Sequence, residues 1–471
     1  MSPAPPPAAA QLSPLALLGL TYAYISSGPY GIEPAVGAAG PLLSVVGIVA
    51  FAACWALPQA LLAAELTSAF PEQGSVVAWL ERGVGRRWAA VGAGCLVASQ
   101  IFDLAIFTGQ VVGYAAQLYP ALASTPAVSV AVQVALCAAV AAANLGGLGV
   151  VTRVLVGSLL VTVTPFVLAP VVAAARRVPM DARAILAVPP QGASSLAALA
   201  SILLWTYQGF FNVSNVAGSI RDPQAAYPRV LLGVTLLLVL TYAVPIVYGA
   251  ALLPDPGAWG VGAFSDVGRA AAPWLGQWVL VGACVANTMG GLSGMALYST
   301  LLARVAERRL LPLGAAGRAL ARTSRRGGGV PYVAVLFYAA TTMGLQFLDF
   351  THVVATDTML NLAGFSVVAV AYLRLRAVEP ELARPFRVPG GRLGGQAVGV
   401  ACLVFAALMS VIIAVGEWYA VVATASSAAL LYAAAGWARE ADAGAPAGRA
   451  DAKALLDGEA DGGEGGGGGP A

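Results

Sequence analysis

The sequence predicts an all-α integral membrane protein with about twelve membrane-spanning helices. Three observations carry that prediction. Of the 471 residues, 59% are hydrophobic and only 10% charged, with a mean hydropathy of +0.80, whereas soluble domains are about a quarter charged. The apolar stretches recur at lengths near the roughly 20 residues that a helix needs to cross a bilayer. Two of them, the first and the sixth, are interrupted in mid-span by residues that helices tolerate badly.

In chain order the spans read as 14–38 (broken), 41–65, 88–119, 127–145, 150–174, 195–218, 229–253, 273–303, 331–349, 354–374, 395–415 and 417–437. The first begins as ordinary apolar helix from Pro14 to Tyr24, with the proline in its first turn. Ser26, Ser27, Gly28, Pro29 and Gly31 then follow. Proline removes a backbone donor and glycine raises the cost of staying helical. An unpaired amide or carbonyl facing lipid costs several kcal/mol, so such a break belongs inside protein or beside a watery cavity. The sixth span, LLWTYQGFFNVSNVAGS, repeats the oddity, with Gly209 in mid-span followed by Asn212, Ser214 and Asn215. The first five spans and the next five thus each begin with an interrupted helix. Paired interruptions of this kind point to a transport site at the interface of inverted repeats.

The flanks read differently. Residues 1–13, uncharged and proline-rich, have no basic leader of a cleavable signal peptide and are expected to be a disordered cytoplasmic N-terminus. Residues 438–471 are polar, acidic and glycine-rich, and are expected to form a disordered cytoplasmic tail. Between them lies the span-bearing region, 14–437.

Basic residues set the orientation. With both termini cytoplasmic, every one of the 25 Lys and Arg except Arg176, Arg177, Arg183 and Arg269 falls on the cytoplasmic side. The loop from Arg304 to Arg326 is the strongest signal, and a secondary contact with anionic lipid is open to it. The one discordant piece is the basic external segment AARRVPMDAR. No basic cluster interleaved with aromatics suggests nucleic acid. The five cysteines lie in apolar stretches without a CxxC pair and read as small core residues. No cofactor, metal-ligand cluster, phosphate loop or nucleophile constellation is legible, so an enzyme is not expected.

The stretches SSGPYGIEPAVGAAGPLL, LPQALLAAELTSAFPEQG, LLARVAERRLLP and EPELARPFRVPGG resemble, in this order and spacing, the amino acid–polyamine–organocation (APC) superfamily. The likeness is greatest to its eukaryotic branch of polyamine uptake and L-type amino acid transporters, and it covers about residues 14–437. It implies a transporter domain over 14–437 with the five-plus-five inverted repeat of LeuT-type transporters (first repeat about 14–174, second about 195–374), two extra helices (395–437) and alternating access around a central site. It also implies proton symport and a multi-pass location, the plasma membrane being expected.

Residue types suggest how a ligand would be held. Amides freed around Gly28 to Ile32, at the start of a half-helix, suit a carboxylate. Carbonyls freed near Trp205 to Gly209 suit an ammonium group. The substrate-binding candidates are therefore Ser26, Ser27, Gly28, Pro29, Gly31, Trp205, Gly209, Phe210, Phe211 and Asn212. The resemblance places an aromatic gate at Trp205, although a packing tryptophan is an equal reading. Phe210 and Phe211 would line a pocket or simply fill core. In polyamine-type relatives the position of Phe211 is acidic, as is that of Ser219, and their absence here shifts the expectation toward amino acids.

Ionisable groups inside spans are costly and usually functional. Asp103, matching a family acid in the third span, is the leading coupling candidate, with a structural anchor as the alternative. Glu33, just past the first break, and Glu65, near the cytoplasmic end of the second span, complete the set, and Asp357 is a further intramembrane acid. Glu65 reads more readily as a structural cap. The lysine that serves proton coupling in some bacterial relatives is missing from the fifth span, and His352 at a membrane edge reads as incidental. The expected function is secondary active transport of amino acids or polyamines, or both, with the substrate and H+ as partners beside the bilayer. The alternatives are a polyamine-selective (putrescine or spermidine) symporter, a nutrient sensor without turnover, and a channel, for which no open polar ring is evident.

Overall fold

Apolar spans must satisfy their own backbone, so helices form wherever the hydrophobic stretches run. The computed structural model describes residues 12–324, 329–346, 350–416 and 418–444. The disorder expected for residues 1–11 and for the tail beyond 444 lies outside them. Among the described residues nine helices are long and apolar enough to cross a membrane, and three shorter apolar helices complete the twelve spans.

The first span is Pro14–Ile25 followed, after an unwound turn, by the start of Glu33–Phe51. Gly40 leaves helical geometry at φ 82° just before Pro41, and the second span begins there, running to Ala69 through a π-helical turn at Ala52–Ala56. A second break, at Gly85, separates a short helix on the basic face from the third span, which ends at Leu118. Pro126–Leu145 and Leu148–Ala175 finish the first repeat. The second repeat runs from Ala193–Thr206 through Pro223–Leu252, Pro273–Glu307 and Tyr332–Leu345 to Phe350–Val378. Gly391–Gly416 and Trp418–Gly444 are the extra pair, the last helix continuing past the residue where the tail was expected to start.

The third span is the hub, packed along the tenth and eighth and touching the fourth, ninth and twelfth. Close approach along the tenth uses bare backbone: a Cβ on Gly364 would lie 2.6 Å from Leu96 Cγ, the small-residue packing favoured between membrane helices. The third, eighth and tenth spans are largely buried, whereas residues such as Leu160, Val171, Leu236, Leu240, Val411 and Val415 on the fifth, seventh and eleventh are exposed, as a lipid-facing shell requires.

The sixth span departs from the expected 195–218. Its helix stops at Thr206, and beyond Gly209 the chain makes only two 3₁₀ turns, Asn212–Asn215 and Ala217–Ser219. Gly209 sits at φ 96°, where a Cβ would lie 2.8 Å from the Tyr24 ring. The carbonyls released beyond it find new donors. The hydroxyl of Tyr227 donates to Val213 O (2.8 Å), that of Ser75 to Ser214 O (3.0 Å) and the amide of Gly74 to Asn215 O (2.7 Å). Where the span ends, Leu12 at the head of the first span pairs with it, Leu12 N donating to Ser219 O (2.8 Å) and Arg221 N to Leu12 O (2.9 Å).

The basic loops gather on this same face. Arg304 bonds Glu72 at 2.7 Å, Arg308 lies 3.6 Å from Glu81, and Arg82 bonds Glu379. Deepest among them is Glu65, fully buried, with Arg376 at 2.7 Å, Arg384 at 3.3 Å and the Val388 amide at 2.8 Å. Arg384 in turn donates to the carbonyls of Leu375, Glu379 and Leu382, closing the end of the tenth span. Glu65 thus sits in a paired ionic cluster with Arg376 and Arg384.

Two outcomes are expected. Glu65→Gln strands two largely buried arginines and should lower stability by about 3–5 kcal/mol, whereas Glu379→Gln at the exposed Arg82 pair should cost less than about 1 kcal/mol; melting temperatures in detergent compare them. Gly209→Ala forces a left-handed backbone onto a residue with a Cβ, at about 1–3 kcal/mol; with Tyr24 displaced, both melting temperature and solute uptake should fall.

Candidate functional site

The unwound turns of the first and sixth spans face each other. Tyr24 on one side reaches Gly209 and Asn212 on the other, and a Cβ at Gly31, where φ is 86°, would lie 3.0 Å from the Trp205 ring. Between them, the third, eighth and tenth spans complete a cavity lined by residues that include Tyr24, Ser26, Asp103, Trp205, Gln208 and Tyr298.

Within the first break, the backbone is largely occupied. The amides of Ser26 and Ser27 donate to Tyr22 O, and that of Gly28 to Ser26 Oγ at 3.2 Å. The Ser27 hydroxyl bonds back to Ala23 O. Pro29 has no amide. Gly31 N donates to Glu33 Oε2 at 2.6 Å and to Tyr114 OH at 3.0 Å. Tyr114 also donates to Glu33 Oε1 at 3.1 Å. Glu33, fully buried, therefore turns its carboxylate back onto the Gly31 amide, just ahead of the half-helix that it begins.

Asp103 occupies the opposite role, at the end of a hydrogen-bond chain whose direction can be followed. Tyr298 OH donates to Asp103 Oδ2 at 2.5 Å. Its single proton being used there, the 2.8 Å contact with Tyr24 requires Tyr24 to donate to Tyr298. Asn212 Nδ2 donates to Tyr24 OH (2.9 Å), Gln100 Nε2 to Asn212 Oδ1 (3.4 Å), and Tyr338 OH to Gln100 Oε1 (2.8 Å). Five donors in series point at one carboxylate and tie together spans one, three, six, eight and nine. Chains of this kind polarise one another and hold their members in one arrangement.

The expected residues divide accordingly. Ser26, Trp205 and Asp103 line the cavity. Ser27, Gly28, Pro29, Gly31 and Gly209 shape the unwound turns, and Asn212 lies one bond behind the wall. Phe210 and Phe211 are fully buried in core, Phe211 packing on Phe365 at 5.2 Å between centroids. Sequence reasoning passed over Tyr24, Ser99, Phe107, Gln208, Asn287, Tyr298 and Asn361. The polar residues among them that sit in otherwise apolar spans carried a usable signal; the aromatic ones did not.

Comparison with known proteins agrees with this architecture. A family model described as amino acid permease matches residues 12–438. The polyamine transporter RMV1 of Arabidopsis thaliana is 31% identical over 388 residues, covering 82% of this chain and 77% of that protein. The polyamine transporter PUT1 of Oryza sativa subsp. japonica is 31% identical over 391 residues, 83% and 71% of the two chains. Twelve spans, two of them unwound around a shared cavity, and a family match over nearly the whole of that span set lead to one conclusion: the chain belongs to the amino acid permease family of the APC superfamily, as a multi-pass membrane transporter.

Proposed function

We propose that the protein carries an organic amine, a polyamine such as putrescine or spermidine foremost, across the membrane by alternating access, with a proton as the coupled ion. The single observation behind this reading is the charge character of the cavity. Asp103 lies in its wall, and no Lys, Arg or His is among the lining residues. Two amides of the first break, those of Gly28 and Gly31, are already held by Ser26 and Glu33. A buried carboxylate without a countercharge is costly, and an ammonium group relieves it. The relatives' names, polyamine transporters, agree with this preference.

In this reading Asp103 receives an ammonium group, Ser26 and Gln208 bond it from the unwound turns, and Trp205 with Phe107 covers the methylene chain. The two aromatic rings lie 6.3 Å apart at the cavity wall. The transporter domain comprises the two repeats and the extra helices that the family resemblance implies. The face carrying Arg304, Arg308, Arg376 and Arg384 is cytoplasmic, in keeping with the bias of basic residues toward that side, and the plasma membrane is the expected location. An α-amino acid is the second reading, favoured by the absence of acid at Phe211 and Ser219.

Uptake into cells expressing the protein tests this directly. Labelled putrescine should enter saturably, compete with spermidine rather than neutral amino acids, and lose its accumulation when a protonophore collapses the proton gradient. Asp103→Asn should reduce that uptake by at least about tenfold, the size of one lost charge-assisted bond, while the protein still reaches the membrane. Saturable uptake of an amino acid untouched by putrescine would establish the second reading instead, and binding without accumulation would mark a sensor.

A further inference from the structure

A second carboxylate lies behind the cavity wall. Asp357, on the tenth span, is fully buried. Its Oδ1 accepts from Ser99 Oγ at 2.6 Å and its Oδ2 from Gln208 Nε2 at 3.2 Å, while Asn361 Nδ2 reaches Ser99 Oγ at 3.5 Å. Ser99, Gln208 and Asn361 all line the cavity that holds Asp103. No salt bridge among the described residues reaches either aspartate. The buried carboxylate at Glu65, by contrast, has two arginines. A carboxylate offers about four acceptor positions, and the two donors Ser99 and Gln208 leave Asp357 room for another.

We propose that Asp357 is a second ammonium subsite, so that the cavity measures the distance between the two charged ends of a diamine. This rests on the amine reading given above. Ser99 and Asp103 are four residues apart on one helix, hence on one face and separated by about 6 Å along its axis. Asp357 is bonded to the first of them, so the residue that holds Asp357 and Asp103 itself lie about one helical turn apart along the third span. An extended chain of four methylenes between two nitrogens has five bonds of about 1.5 Å each and spans roughly 6 Å when staggered. Gln208 belongs to the unwound turn after Thr206, so the donor it lends Asp357 is not held by helix geometry and can give way to the incoming ammonium.

Equilibrium binding to the purified full-length protein decides the matter, with 1,3-diaminopropane, 1,4-diaminobutane, 1,5-diaminopentane, 1,6-diaminohexane and n-butylamine each measured by calorimetry. In the wild type the four-carbon diamine should bind best, and n-butylamine about tenfold more weakly or worse, the cost of one unmade charged contact. Asp357→Asn should collapse the ratio of diamine to monoamine affinity toward one. Asp357→Glu, which keeps the charge and adds a methylene, should move the optimum to the three-carbon diamine. Amine binding that ignores chain length in the wild type overturns the second subsite and leaves the amine reading standing, as does a diamine-to-monoamine ratio unchanged in Asp357→Asn. Failure of every amine to bind, where an α-amino acid does, overturns both. The wild-type series and the charge-preserving variant decide the question even if Asp357→Asn does not fold.

Discussion

The unwound turns at the heart of this protein persist because their neighbours take up the hydrogen bonds that the helices relinquish. In hydrocarbon each orphaned amide or carbonyl costs several kcal/mol, so a broken span is tenable only with specific partners. The sixth span shows how local these are. Tyr227, Ser75 and Gly74 serve three consecutive carbonyls, and none of them belongs to that span. The first span solves the same problem from within, Ser26 and Glu33 turning their side chains onto the backbone of the break.

That difference gives the cavity its chemical character. In the first break Ser26 and Glu33 hold the amides of Gly28 and Gly31, and the carboxylate in the cavity wall is Asp103. Five donors directed at it keep Asp103 an acceptor, and the same bonds join five spans. An exchange of partner at the carboxylate would act on bonds shared by all five spans. Such coupling requires that the chain have two arrangements, and the two unwound turns, unrestrained by helix periodicity, are where a second arrangement costs least.

Charge is spent differently at the basic face. Glu65, Arg376 and Arg384 form a closed cluster, each charge paired and the remaining donors placed on carbonyls at the end of the tenth span. A buried pair of this type contributes geometry more surely than net stability. Here it binds the second span to the loop that follows the tenth. One buried acid is thus neutralised for structure, while Asp103 and Asp357 are left without cations beside the cavity.

Much of this was legible in one dimension. Span number, the two interruptions and the side bearing the basic loops follow from hydropathy, helix-breaking residues and arginine placement, because the bilayer imposes a length and forbids unpaired backbone. Asp103 stood out for the same reason, as an acid where acids are costly. What the linear pattern could not decide was which polar groups meet. Glu33 and Asp103 look alike in sequence, yet one folds back onto Gly31 and the other faces the cavity through Tyr298. Phe210 and Phe211 adjoin Gly209 but turn into core. Tyr24, Ser99, Gln208 and Asp357 come from four spans and gather around one cavity only when packing brings them together, since the partner of a side chain is set by three-dimensional neighbours and not by its place along the chain.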